Sequence, residues 1–229
     1  MSIRNNLAHI HENINNAVSA SEGRTDCVQV VVVSKHHTVE EIMEAYSCGQ
    51  RVFAENRVQE LLPKIEATKN VPDIEWQLIG HLQKNKVRQV VGKVSLIQSV
   101  DSIELADEIE KRAEKAGCKV NILLQVNVAE EEQKYGIAFK DIDAFIDNMV
   151  SWPHIFLHGF MFIAPNFEDK TDLYPFFDKL YNKFKALSSL PKPRVEMKWL
   201  SMGMSGDYEY AITSGANMVR IGSAVFNVE

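Results

Sequence analysis

Lys35 is the residue whose surroundings most directly suggest chemistry. It follows four valines and a serine in VQVVVVSK, Val28 to Lys35, so its amine should emerge at the rim of an apolar core. An apolar surround disfavours a charged ammonium, and a neutral amine can attack an aldehyde to form an imine. A lysine that closes a strand can equally lay its stem on the core and reach out to water; position alone leaves both readings open. Two later segments carry anion chemistry. SMGMSGD, Ser201 to Asp207, supplies two glycines and two hydroxyls, and VRIGSA, Val219 to Ala224, adds Arg220, Gly222 and Ser223. Glycines let backbone N–H groups approach an anion, and hydroxyls donate to its oxygens. Either segment alone would read as an ordinary turn.

The remaining candidates point elsewhere. His36 and His37 have no carboxylate pattern typical of a zinc site. His9 and His11 sit on a helix that should face them to solvent, and His158 reads as a satisfied core histidine. Met161, Met202 and Met204 read as core or pocket lining. There is no P-loop, nucleophile elbow or His-x-x-x-His pair.

These residues need elements to position them. Leu7, Ile10, Ile14, Ala17 and Val18 recur at helical spacing and predict an amphipathic N-terminal helix. Eight strands then alternate with helical or short linking segments: Val28–Lys35, a run ending at Asn56, Ile74–Gly80, Ser95–Val100, Val120–Val128, Ile155–Ala164, Trp199–Gly203 and Met218–Phe226. The valine run is expected to be buried on both faces, as in a parallel sheet. Thr38 with Glu41 predicts a capping box, and Asp101 with Glu104 a second one; Gly49 and Gly117 predict helix ends. Eight such units in 229 residues point to a single (β/α)8 barrel spanning residues 1–229, although an open doubly wound sheet also alternates. The glycine fingerprint of a dinucleotide-binding sheet is missing. In a barrel the site lies at the C-terminal strand ends. Lys35, Glu55 with Asn56, Gly80 with His81, Ser201 to Ser205 and Arg220 to Ser223 all fall there.

Composition narrows the function classes. The formal net charge is −6, and no dense Lys/Arg block suggests nucleic acid; Lys84, Lys86 and Arg88 read as a solvated helix face. No stretch reaches the roughly 18 apolar residues of a membrane span, and the N-terminal segment does not read as a signal peptide. Cys27, Cys48 and Cys118 are odd in number and fit no zinc spacing. A reduced, cytoplasmic, monomeric protein is the expectation.

VVVSK, FAENRVQE, WQLIGHLQKNK, KYGI, HGFMFIAP and SMGMSGDYEYAITSGANMVRIGSAVF together resemble the YggS/PROSC family of pyridoxal phosphate homeostasis proteins, from about Val28 to Phe226. The resemblance implies a barrel like the N-terminal domain of alanine racemase, with pyridoxal 5'-phosphate held as a Schiff base on Lys35. It implies that Ser201, Ser205, Gly222 and Ser223 hold the phosphate, that Asn56 and Met204 line the pocket, and that Arg220 points at the pyridine nitrogen. An always-charged arginine there would weaken the ring as an electron sink. Ala54, Gln77 and Asn227 depart from the family's common glycine, histidine and glycine. The function implied is cofactor homeostasis without efficient amino-acid turnover, with apo-enzymes that receive the cofactor as partners.

Two other functions compete with it. One is a racemase-like enzyme; such enzymes use a second domain, by resemblance the source of a tyrosine acid/base, and here the barrel is expected to consume the chain. The other is a cofactor-free barrel binding a sugar phosphate, which the phosphate segments alone would allow.

Overall fold

The computed structural model describes residues 2–131 and 133–227; Met1 and the last two residues of the expected domain lie outside them, as does Glu132. Helix α1 (Ile3–Ala20) precedes β1 (Gln29–Val33), α2 (Val39–Ser47), β2 (Val52–Glu55), α3 (Val58–Ala67), β3 (Glu75–Leu78), α4 (Val87–Val90), β4 (Leu96–Val100), α5 (Ile103–Ala116) and β5 (Val120–Asn127). There follow β6 (Ile137–Ala138), α6 (Ile142–Asp147), β7 (Ile155–Met161), α7 (Tyr174–Ser188), β8 (Val195–Met204), α8 (Tyr208–Thr213), β9 (Met218–Ile221) and α9 (Ser223–Phe226).

The strands run parallel in the order β4-β3-β2-β1-β9-β8-β7-β5, and β4 pairs with β5 to close the ring. The fold is therefore a (β/α)8 barrel with an extra N-terminal helix, as the alternation predicts. Among the described residues the two-residue β6 pairs with β5 alone and adds a ninth, peripheral strand.

The valine run shows how the sequence builds the wall. Successive strand side chains point to opposite faces. Val30 and Val32 pack outward under the helices, whereas Val31 and Val33 join Val52, Ala54, Ile79, Leu96 and Leu123 inside the barrel. Ala54, in place of the family's glycine, puts its methyl in this inner layer.

Helix ends follow local chemistry. At α2, Thr38 Oγ1 accepts from the Glu41 N–H and Glu41 Oε2 accepts from the Thr38 N–H, so that capping box is present. The second expected box is displaced by one residue. Ser102, in extended backbone, caps α5 by accepting from the Leu105 N–H, and Asp101 instead accepts from His81 Nδ1 at 3.1 Å. The last strand is also shorter than expected. It ends at Ile221, and Ser223–Phe226 turn into α9, because Gly222 leaves the extended conformation and its carbonyl accepts from Val225 and Phe226 N–H.

Helix α1 braces the end of the chain. Asn6 Nδ2 donates to the carbonyls of Val225 and Asn227, and Asn13 Nδ2 donates to Tyr208 Oη. The helix thereby clamps α8 and α9, which follow the two glycine-containing segments. His9 and His11 on it are exposed.

Candidate functional site

A cavity of about 480 Å³ opens at the C-terminal ends of the strands and is lined by Lys35, Asn56, Met204, Ser205, Gly222 and Ser223, with Arg220 among its walls. Its volume falls in the range of small-molecule sites. Val33, Ile79 and Ile163 supply its apolar surface. The two isoleucines were legible only as the last core-type residues of strands three and six.

Lys35 is exposed at this cavity. Its Nζ has no carboxylate or hydrogen-bond partner among the described residues, so the amine is free to act. The backbone around it is tightly held. The Ser34 N–H donates to Ala54 O, Ser34 Oγ donates to Glu55 Oε1 at 2.7 Å, and His36 takes a left-handed conformation at φ 67°. His37 then stacks on Phe226 at 3.9 Å and bonds Glu41. His36 and His37 thus build the turn that presents the lysine.

Asn56 is half-buried and sits against Gly80. A β-carbon on Gly80 would lie 2.0 Å from the Asn56 carbonyl oxygen, so the third strand end must carry glycine for the second to reach the cavity. Gly203 has φ +91°, and a β-carbon there would lie 2.7 Å from Tyr208 Cα. That glycine lets the segment after β8 fold back onto α8.

The Gly222 and Ala224 N–H groups both donate to Ser205 Oγ, at 3.3 Å each. Ser223 is exposed beside them, and Gly206 has open space around its α-carbon. Convergent backbone N–H groups and two hydroxyls around one point form the donor set an anion requires. The bonds already present are long, so a stronger acceptor can replace the hydroxyl.

Ser201 is placed differently from the resemblance-based expectation. It is fully buried beneath the cavity and does not line it. Its Oγ accepts from Arg220 Nη1 at 2.6 Å and donates to Gln98 Oε1 at 2.7 Å. The register shift between Ser201 and Met204 where β8 pairs with β9 separates this inward serine from Met204 and Ser205 at the mouth. Ser201 is a support for Arg220.

Arg220 is 3% exposed. Besides Ser201 Oγ, its guanidinium donates to Ser201 O at 2.9 Å and Phe162 O at 2.8 Å. Burial pushes its pKa down to about 10 while Asp207 opposes that fall. It remains a cation at neutral pH, locked in one orientation at the cavity wall. Sequence reasoning did not single out Lys64. Its Nζ reaches Glu55 Oε1 and the Ser34 carbonyl from α3.

Residues 5–229 match the model of the alanine racemase N-terminal domain family. The chain is 40% identical over 220 residues to a pyridoxal phosphate homeostasis protein of Aquifex aeolicus, covering 96% of this chain and 95% of that one. It is 36% identical over 229 residues to the protein of that name from Pasteurella multocida, covering 99% and 97%. Among solved structures, PipY of Synechococcus elongatus with PLP bound superposes with a TM-score of 0.85 at 31% identity, over 99% of this chain and all of that one. Alanine racemase of Clostridium difficile shares the fold, with a TM-score of 0.64 at 16% identity over 56% of its length. The chain belongs to the alanine racemase N-terminal domain family and, within it, to the pyridoxal phosphate homeostasis proteins.

Proposed function

We propose that this protein binds pyridoxal 5'-phosphate at the C-terminal mouth of its barrel and serves in homeostasis of that cofactor. The observation that carries the reading is the coincidence, in one cavity, of an unpaired Lys35 amine with the Ser205, Gly222 and Ser223 donor set. The residues fit the group. Lys35 would hold the aldehyde covalently, Ser205, Ser223 and the N–H groups of Gly222 and Ala224 would hold the phosphate, and Val33, Ile79 and Ile163 give the ring an apolar surround. Asn56, Met204 and Arg220 complete the wall, with Arg220 the candidate partner of the ring nitrogen. When bound, the cofactor supplies a reactive aldehyde.

Two features argue for carrying over catalysis. Lys35 is exposed, so water and free amines reach it, whereas efficient chemistry favours a closed, dry site. Arg220 is a donor-only cation and cannot hold a proton on the ring nitrogen as a carboxylate would. We read the whole chain as one cofactor-binding domain, monomeric, that passes its cargo to apo-enzymes. The free cysteines Cys27, Cys48 and Cys118 suit a reducing cytoplasm.

The test is covalent mapping. Protein loaded with pyridoxal 5'-phosphate and reduced with borohydride should carry a pyridoxyl group on the Lys35 peptide, and Lys35→Ala should lose it. A group mapped to another lysine would overturn the assignment. Efficient racemisation or transamination by the loaded protein, with Lys35 required, would overturn the carrier reading.

A further inference from the structure

The barrel interior is crossed by a line of polar side chains that starts at Arg220 and ends at a second cavity. Arg220 Nη1 donates to Ser201 Oγ at 2.6 Å, Ser201 Oγ donates to Gln98 Oε1 at 2.7 Å, and Gln98 Nε2 donates to Gln77 Oε1 at 2.6 Å. Arginine carries donors only, so Ser201 accepts from it, and the sense of the later links follows from where the single serine proton can go. That proton goes to Gln98, which presents its carbonyl upward. The Gln98 amide therefore faces Gln77, and Gln77 must receive it with its own carbonyl. What remains at the far end is the Gln77 side-chain NH2. Reversing one amide alone would set like against like between Gln98 and Gln77, and reversing both would leave the Ser201 hydroxyl proton without an acceptor among the described residues.

Gln77 is 4% exposed, and its NH2 has no acceptor among the described residues. It lines a cavity of about 340 Å³ at the N-terminal mouth of the barrel, opposite the cofactor end. Around that mouth stand Glu75, Asn121, His158, Lys198 and Trp199. Asn121 is occupied: its Nδ2 donates to Ser95 O and its Oδ1 bonds His158 Nε2. His158 Nδ1 lies 3.2 Å from Glu196, and burial lowers its pKa, favouring the neutral ring. Lys198 and Glu75 are exposed and make no ion pair among the described residues; the Lys198 ammonium rests over the Trp199 ring at 4.9 Å. The mouth thus offers two donors for an anionic group, Gln77 and Lys198, and one unpaired carboxylate for a cationic group, Glu75.

We propose that the N-terminal mouth is a second ligand site that takes a small zwitterion of the amino-acid class, its carboxylate on Gln77 and Lys198 and its ammonium on Glu75. The site does not depend on the cofactor reading, since none of its residues lines the upper cavity. A hydrogen bond to a charged group contributes about 1.5–3 kcal/mol, so each removed partner should weaken binding by about tenfold or more.

The experiment titrates the cofactor-free wild-type chain, labelled with nitrogen-15, with glycine and with L-alanine, following the Gln77 side-chain amide and the Trp199 indole N–H. Without cofactor, amine exchange at Lys35 cannot contribute, so failure here leaves the cofactor assignment untouched. Both signals should move and saturate at concentrations of millimolar order, and acetate and ethylamine at equal ionic strength should bind at least about tenfold more weakly. Lys198→Met and Glu75→Gln, at exposed positions, should each weaken glycine binding about tenfold. Gln77→Glu keeps an acceptor for Gln98 but turns a carboxylate toward the ligand, and should abolish binding. The proposal is overturned if neither signal saturates, if acetate matches glycine, or if Lys198→Met binds as the wild type does.

Discussion

Lys64 Nζ lies 2.5 Å from Glu55 Oε1, and both groups are buried between α3 and the end of β2. The same ammonium donates to the Ser34 carbonyl at 2.7 Å, and the same carboxylate oxygen accepts from Ser34 Oγ at 2.7 Å. The pair therefore holds the carbonyl and the hydroxyl of the residue preceding Lys35. Breaking a buried pair on one side leaves an uncompensated charge, a loss of about 3–5 kcal/mol. Lys64→Met should cost stability on that scale in denaturant unfolding, and Glu55→Leu combined with Lys64→Met should recover part of it. A single variant as stable as the wild type would show that the pair is not what holds this turn.

The turn beyond Lys35 has its own pH response. The Thr38 N–H holds the Glu41 carboxyl below its ordinary value; burial opposes it, and the bond to His37 adds a smaller lowering. A carboxylate lowered on folding contributes stability that is present above its unfolded pKa and lost as pH falls through the folded one. Amide exchange over the first turn of α2 should accordingly quicken as pH drops through the acid range. Glu41→Gln should flatten that dependence, and an unaltered acid response in the variant would rule the capping carboxylate out.

How far the sequence reveals this molecule depends on whether the signal is local. The split of Val30 to Val33 between two faces, the Thr38–Glu41 cap and the Gly117 helix end rest on neighbours in sequence, and all are legible. The Ser102 cap is misplaced by one residue because Asp101, another good capping residue, is drawn to His81 across the rim. Arg220, Lys35 and the Ser205–Ser223 donors converge because strands one, eight and nine are adjacent, so the topology, once expected, brings them together. Ser201 misleads, since it belongs to the same glycine-rich motif as Ser205 but lies before the irregularity in β8 that turns the chain from wall to mouth. Gln98, Gln77 and Lys64 carry no local sign of their role. A glutamine inside a barrel strand gains meaning only from partners on three other strands.

Phosphate recognition should be separable from recognition of the ring. Ser205 Oγ and Ser223 are the hydroxyls at the mouth, beside the Gly222 and Ala224 N–H groups. Charge-assisted hydrogen bonds contribute about 1.5–3 kcal/mol each, so Ser223→Ala should weaken pyridoxal 5'-phosphate binding by about tenfold or more. Pyridoxal without phosphate should bind far more weakly to the wild type and should lose little further in the variant. Equal affinities for the two forms in the wild-type protein would eliminate the phosphate site.

Ser201→Ala provides the complementary case, because its hydroxyl touches Arg220 and Gln98 and not the cavity. The substitution leaves one Arg220 donor and the Gln98 carbonyl without their partner in the barrel interior, where an orphaned polar group costs about 1–3 kcal/mol. Stability should fall by that order, and Arg220 should lose one of its three anchors while keeping Ser201 O and Phe162 O. The absorption of the bound cofactor should therefore shift if Arg220 faces its ring. The ratio of affinities for pyridoxal 5'-phosphate and pyridoxal should stay as in the wild type, unlike in Ser223→Ala. A collapse of that ratio in Ser201→Ala would mean that this serine reaches the phosphate after all, and that the barrel interior rearranges when the cofactor binds.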